Sequence, residues 1–373
     1  MARDSAHPTV QTPEDPLLLL SVLYGFWVAN FVAFDGDALR ELAMQFHALA
    51  EKQGATIPLM IGIRLMGTSL LFTGEIARGR GHYDQAIALY DPAEHRPLAM
   101  RFGQDVAVAI LSFRSLALWL LGYPDAALAD TERALKDARE IGQAVTLMYA
   151  LTHVAKTYFH RGDYAVANAQ ADELVALADE KGALLWKYAG MIDKGYVLAM
   201  TGKASNAIQI FTSAITGHRS TGSRIWVPLY SSYLARAYAE LGQDEQARHS
   251  IDEAMAAVET TKERWCEAEI NRIAGQIALM LPDQDWKKAE AYFERALTIC
   301  PGAAGKVLGT AGGDEYGPAL ARSRQTAAGP RSSRSNLRLV YRRLRHARLE
   351  RGQGVARRVG VVRRLHTTGE RWP

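Results

Sequence analysis

The chain is expected to be an all-α solenoid of antiparallel helical hairpins, and three features of its 373 residues predict this. Gly122, Gly162, Gly202 and Gly242 recur every 40 residues, and alanine follows each five positions later, as Ala127, Ala167, Ala207 and Ala247. A second series, Gly142, Gly182 and Gly222 with Lys262 continuing it, falls midway. Between these marks the apolar residues keep helical spacing: Leu234, Ala237, Tyr238 and Leu241 form one stripe, and Ala247, Ile251, Ala254, Met255 and Val258 another.

Two breaks per period, about twenty residues apart, describe helix, turn, helix, turn. Glycine suits each helix end because it enters the left-handed region without a Cβ clash. The alanine suits the point where antiparallel helices leave their turn at closest approach. The frame extends upstream to Gly81 and Ala86 and downstream to Ala289, giving hairpins at 16–53, 56–91, 104–141, 143–181, 183–221, 224–261 and 263–300. Tyr90 to Gly103 is the one long connection. Trp186 and Trp226 follow the midway glycines by four residues, and Trp265 falls one short of that register, which reads as packing between successive hairpins.

Residues 1–15 are expected to be disordered. Leu17 to Phe34 runs without a charge, but acidic Glu14 and Asp15 precede it, and Ser21, Gly25 and Asn30 interrupt it. It therefore reads as a buried repeat helix, not a signal sequence or membrane span. Cys266 and Cys300 are too few for a disulfide framework and fit no metal pattern, in keeping with a reducing cytoplasm.

The formal charge of +4 divides unevenly. Residues 301–373 hold 16 Lys and Arg against 4 Asp and Glu, while the first 300 hold 28 against 36. The body is thus mildly acidic, and no nucleic-acid partner is expected from it. Beyond Cys300 the period stops in an Arg/Gly-rich tail with 11 glycines and one lysine.

Arginine, glycine, alanine and proline have GC-rich codons and accumulate when such DNA is read in the wrong frame. Joining the last two bases of each codon to the first of the next, synonymous codons from Gly305 to Gly360 can spell a further hairpin. Its own turn, GKRQQA, places its alanine over Gly329, forty residues after Ala289. The tail is therefore expected to be frameshifted and non-native. An uncapped last hairpin would then expose apolar surface and favour self-association.

The phrases ALYDPAEHRPLAMRFGQD, ALWLLGYPDAALADTERAL, VETTKERWCEAEINRIAGQIAL and KAEAYFERAL, in that order, resemble the C-terminal TPR-like repeat region of bacterial proteins that join a class III adenylate/guanylate cyclase domain to a P-loop ATPase. The likeness spans about residues 16–300. It implies a TPR-like superhelix and signalling work, as a truncated portion of such a protein, but not its catalysis. No GxxxxGK[ST] loop is present, since Gly302 to Lys306 has the wrong spacing and Val307 stands where a magnesium ligand is needed.

No cofactor or catalytic constellation is expected either. Cys266 reads as a packed thiol beside acids, His153 and His160 as structural histidines without a third metal ligand, and Glu267 and Glu269 as solvated carboxylates on different helix faces. What remains is a concave groove lined by the first helix of each hairpin, suited to a protein or peptide partner. Candidate partner-binding residues are Arg101, Gln104 and Asp105 in the long connection, and Lys187, Arg224 and Arg264 near later first helices. The chain reads as a non-enzymatic protein–protein interaction module, or alternatively as an effector-sensing regulatory domain for a cyclase or ATPase. Sequencing the gene across the codon for Cys300 is expected to reveal a lost or gained base; a verified in-frame reading would end the frameshift reading.

Overall fold

The computed structural model describes residues 16–299; residues 1–15 and the tail from Cys300 lie outside them. The described chain forms seven antiparallel hairpins. These are α1 (Pro16–Ala33) with α2 (Gly36–Gln53), and α3 (Thr56–Phe72) with α4 (Ile76–Ala88). After a linker of two short helices, α5 (Pro92–His95) and α6 (Ala99–Phe102), come α7 (Val106–Leu120) with α8 (Pro124–Ile141) and α9 (Ala144–Arg161) with α10 (Tyr164–Glu180). The last three are α11 (Leu184–Met200) with α12 (Ala204–Ser220), α13 (Val227–Glu240) with α14 (Asp244–Thr261), and α15 (Glu267–Met280) with α16 (Trp286–Ile299).

The turns follow from local chemistry. Gly122, Gly162, Gly202 and Gly242 all take positive φ, and so do Gly142, Gly182 and Gly222. Lys262 adopts φ 64° in the second series, and Gln284, five residues before Ala289, adopts φ 39° where other hairpins use glycine. Ala127, Ala167, Ala207, Ala247 and Ala289 are all buried. Each lets its second helix leave the turn against the first with nothing larger than a methyl between them.

The second hairpin departs from the expected register. Gly81 lies inside α4 with open space where a Cβ would stand, so it ends no helix, and Ala86 is an ordinary core residue of that helix. The turn glycine is Gly74, at φ 97°, and the small residue five positions on is Gly79. A Cβ on Gly79 would sit 2.8 Å from the Gly67 carbonyl oxygen and 2.9 Å from the Leu71 nitrogen. Here even alanine is too large, because the obstacle is backbone.

α1 also differs from a fully buried helix. Leu20 and Trp27 face the core, whereas Leu18, Val22 and Phe26 form an exposed apolar stripe at i, i+4 and i+8, because α1 has no preceding hairpin among the described residues. Among those residues, no single helix is long and apolar enough to cross a membrane.

The seven hairpins wind into a superhelix tight enough for its ends to touch. The Val32 carbonyl at the end of α1 accepts the N–H groups of Arg224 (2.9 Å) and Ile225 (3.3 Å), just ahead of α13. The Phe72 carbonyl at the end of α3 accepts those of Arg264 (2.9 Å) and Trp265 (3.2 Å), just ahead of α15. The two contacts are related by one 40-residue step on both sides, so hairpin one meets hairpin six and hairpin two meets hairpin seven. One superhelical turn therefore takes five hairpins.

Gly79→Ala is expected to lower stability by about 1–3 kcal/mol through overpacking. Gly81→Ala should raise it by about 0.5–1 kcal/mol, as for an open mid-helix glycine. Urea denaturation of both variants checks the corrected register; the opposite order would contradict it.

Candidate functional site

Closure of the superhelix brings aromatic rings together across the turn. Phe72 packs edge-on against Trp226 (5.4 Å between centroids) and Trp265 (5.9 Å) from the far side, and against Phe31 and Phe113 from its own. Trp226 and Trp265 thus fill the axis between turns, beyond the expected packing of one hairpin on the next. His153 continues the cluster, edge-on to Phe113 at 4.6 Å.

Polar groups are embedded in this aromatic lining. The Lys156 ammonium donates to the Thr152 carbonyl (2.8 Å), lies 3.2 Å from the Asp193 carboxylate and sits 5.0 Å above the Trp226 ring. Both ionic partners are buried, so losing either would leave a charge without water, a penalty of about 3–5 kcal/mol. Burial pushes the Asp193 carboxyl upward, and Lys156 opposes the shift. The cavity beside this pair, lined by Ser112, Trp119, His153, Thr157, His160 and Trp226 among others, is about 10 Å³, room for a single water.

Glu263 is the least conventional group. Fully buried, it accepts the Trp226 backbone N–H on both carboxylate oxygens (3.0 and 3.1 Å) and the Trp265 indole N–H at 2.9 Å. Desolvation, only partly opposed by these bonds, raises its carboxyl to about 8. Trp226 itself has φ 69°, a left-handed conformation that costs a non-glycine residue about 1–2 kcal/mol. The double acceptance by Glu263 holds it there.

The axis offers no reactive constellation. His153 donates from Nδ1 to the Tyr149 carbonyl at 2.7 Å, and burial lowers it to about 3. His160 stacks on Trp119 and falls to about 4 for the same reason. Among the described residues no three His, Cys, Asp or Glu side chains converge for a metal. Cys266 is the N-cap residue of α15 and not a helix-interior position; burial first, and then Glu263, pushes its thiol well up. Glu267 and Glu269 are not solvated as expected. Glu267 is buried and pairs with Arg295 of α16 (2.7 Å), and Glu269 grips Arg272, one turn on in α15, at 2.7 Å through both oxygens.

The candidate partner-binding residues occupy three regions. Asp105 is buried and committed to the fold: it caps α7 through the Val108 N–H (3.0 Å) and accepts the Tyr90 hydroxyl at 2.7 Å. Arg101 is exposed and Gln104 half-buried beside it. Lys187, at the start of α11, pairs with Asp179 at 2.5 Å. Arg224 and Arg264 lie in the two closing loops, Arg224 exposed and Arg264 half-buried 3.5 Å from Glu259.

A second, larger cavity of about 350 Å³ opens between the linker and the first two hairpins. Its walls come from α1 (Leu20, Ser21), α2 (Phe46), the start of α3 (Ala55 to Pro58) and the linker (Glu94, His95, Leu98, Arg101, Phe102). The linker is pinned there by the Tyr24 hydroxyl, which donates to the Phe102 carbonyl at 3.0 Å, and by Arg101, which donates to Ser21 Oγ at 2.9 Å. Arg101 is the one candidate residue that lines this groove. The sequence reading missed its neighbour His95, which sits in a charged stretch and resembles a solvated side chain.

No protein-family model matches the chain, and no curated protein matches it. Solved structures do. A Rap protein complexed with competence and sporulation factor aligns over 76% of this chain and 75% of its own, at 15% identity and TM-score 0.57. NprR in complex with its cognate peptide NprX aligns over 90% and 89%, at 15% identity and TM-score 0.56. A signal-transduction ATPase with a tetratricopeptide repeat sensor from Pyrococcus horikoshii aligns over 88% and 50%, at 12% identity and TM-score 0.47. At these identities the first two matches show the fold, a TPR-like helical-hairpin solenoid.

Glu263 gives the protein a testable pH response. Its folded-state value lies near 8 and the ordinary carboxyl value near 4.5. Between those limits the folded state binds more protons than the unfolded, so this group makes stability fall as pH rises. His153, His160 and His218, all lowered by burial, act oppositely, making stability rise as pH climbs toward 6.5. Above the histidine range, from about pH 7 to 8, denaturation midpoints should thus decline in the wild type, and Glu263→Gln, which keeps an acceptor but cannot ionise, should lose that decline.

Proposed function

We propose that this chain is a non-enzymatic interaction module that binds a peptide or a helix of a partner protein at the linker groove. The observation that carries the reading is where room exists. At the closure Phe72, Trp226 and Trp265 pack across the axis and the cavity beside Trp226 holds about 10 Å³, whereas the linker groove offers about 350 Å³ with mixed apolar and polar walls. Ligand sites of this kind need an apolar body with a few placed polar groups. Arg101, which lines this groove, is then the primary contact, with Gln104 close to it in the chain, and Lys187, Arg224 and Arg264 lie elsewhere on the solenoid.

The fold likeness supports this by analogy, since two of the similar solenoids were solved in complex with competence and sporulation factor or with a cognate peptide. A partner inside a cyclase- or ATPase-linked signalling protein, with the chain acting as an effector sensor, is the context implied by the repeat phrases. The same binding act serves both roles. The absence of a phosphate loop in the sequence argues against nucleotide turnover by this chain.

The test is retention of a partner captured by the full-length chain and identified by mass spectrometry. Arg101→Ala/Gln104→Ala should release it with helicity unchanged, while Lys187→Ala, Arg224→Ala and Arg264→Ala weaken it less. Equal retention by all variants would refute the placement, and turnover of ATP or GTP by purified chain would refute the non-enzymatic reading.

A further inference from the structure

The linker groove brings together three hydrogen-bond donors that lack an acceptor of matching charge. Arg101 carries the first: its guanidinium reaches Ser21 Oγ and lies 5.8 Å from the Phe102 ring centre, with no carboxylate against it among the described residues. His95 supplies the second. It is 2% exposed, and its Nδ1 accepts the Asp91 N–H at 2.8 Å, which places the proton on Nε2. That Nε2–H has no hydrogen-bond partner; the Glu94 carboxylate, 3.9 Å away, is out of range. The third is the start of α3, a 17-residue helix whose N-cap is Ala55. Alanine offers no capping oxygen and no acid stands in the first turn, so the Thr56 and Ile57 N–H groups have no partner within the helix.

All three line one cavity that also carries Ser21 and Glu94 and whose remaining walls are largely apolar, Leu20, Phe46, Leu98 and Phe102 among them. A buried donor without an acceptor carries an uncompensated desolvation cost, which an incoming acceptor removes. A helix start and an arginine both favour an anion. The apolar walls require that the anion be attached to an apolar body, and Glu94 at the rim disfavours a doubly charged group such as phosphate.

We propose that the groove recognises the free C-terminal carboxylate of a peptide ending in an apolar residue. The carboxylate sits among Arg101, His95 Nε2–H and the α3 N-terminus, and the last side chain sits between Leu20, Phe46 and Leu98. A terminal residue carries its charge and its side chain on one carbon, matching a donor cluster beside an apolar wall. The volume, about 350 Å³ and at the low end for ligand sites, seats the terminal residue and leaves the rest of the partner outside the groove. The Glu94 carboxylate, 3.9 Å from His95 Nε2, repels an incoming carboxylate and tempers affinity. This inference rests on the interaction-module reading and gives that site its ligand chemistry.

Fluorescence anisotropy with the full chain and fluorescein-labelled pentapeptides ending in Ala-Leu, Ala-Phe or Ala-Asp, each as free acid and as amide, tests it. The Leu and Phe acids should bind, the matching amides at least about tenfold more weakly, as expected for loss of charge-assisted bonds. Arg101→Ala should weaken the acids by a similar factor without affecting the amides, and Glu94→Gln should strengthen them. Equal binding of acid and amide, binding of no peptide, or binding of octanoate with none of the peptides would overturn it. If peptides fail while a captured partner still depends on Arg101, the carboxylate assignment falls and the interaction module stands.

Discussion

Two backbone carbonyls set the shape of this protein. Val32 and Phe72, at the ends of α1 and α3, each accept two N–H groups from a loop five hairpins later in the chain. The closure leaves no slack: a Cβ on Gly36 would stand 2.8 Å from the Lys262 Cβ, so the α1–α2 turn touches the α14–α15 loop without room for a side chain. Successive hairpins must stack to that five-hairpin pitch. The aromatic axis, the buried Glu263 and the left-handed Trp226 all lie where the two turns meet.

This closure changes the energetics expected of a repeat array. In an open solenoid each repeat contacts only its neighbours, and stability is nearly a sum of local terms. Here hairpins one and two are tied to six and seven, so fraying at either end breaks contacts at the other. Forming the tie requires a long loop to close, but that cost grows only as the logarithm of loop length. The aromatic edge contacts of Phe72 with Trp226 and Trp265, each worth about 0.5–1.5 kcal/mol beyond burial, help to offset it. The Lys156–Asp193 pair adds little net stability but makes mispacking costly, since each charge is tolerable only against the other.

What the sequence made legible was local. Turn glycines at 40-residue spacing and small residues five positions on are consequences of helix ends and helix contact, and both are written in nearby residues. The one error of register, Gly81 and Ala86 in place of Gly74 and Gly79, arose because the linker breaks the period and because glycine fills the small position there. The closure was not legible, since nothing in the composition of Val32 or Arg224 marks a contact across five hairpins. Its trace was Trp265, one residue short of the tryptophan register. The structure shows why: Trp265 is the period-mate of Ile225, the residue that meets Val32, and Cys266 is the period-mate of Trp226.

The candidate site follows from the same reasoning turned around. Where the repeat is regular, each hairpin buries the same face against the next, and side chains fill the space between them. Gly74 and Gly122 stand 48 residues apart where the later turn glycines stand 40 apart, and the additional chain becomes the linker. Asp105, Tyr90 and Thr146 tie one end of it to α7 and α9, and Tyr24 and Ser21 tie the other to α1. Between those ties the linker spans a gap that no repeat residue is shaped to fill. Glu94, His95 and Arg101 all belong to this insertion and have no counterpart in the other hairpins. A repeat protein gains a distinctive site most readily where it stops repeating, because there polar groups can face a roomy cavity without interrupting the packing that every other hairpin needs.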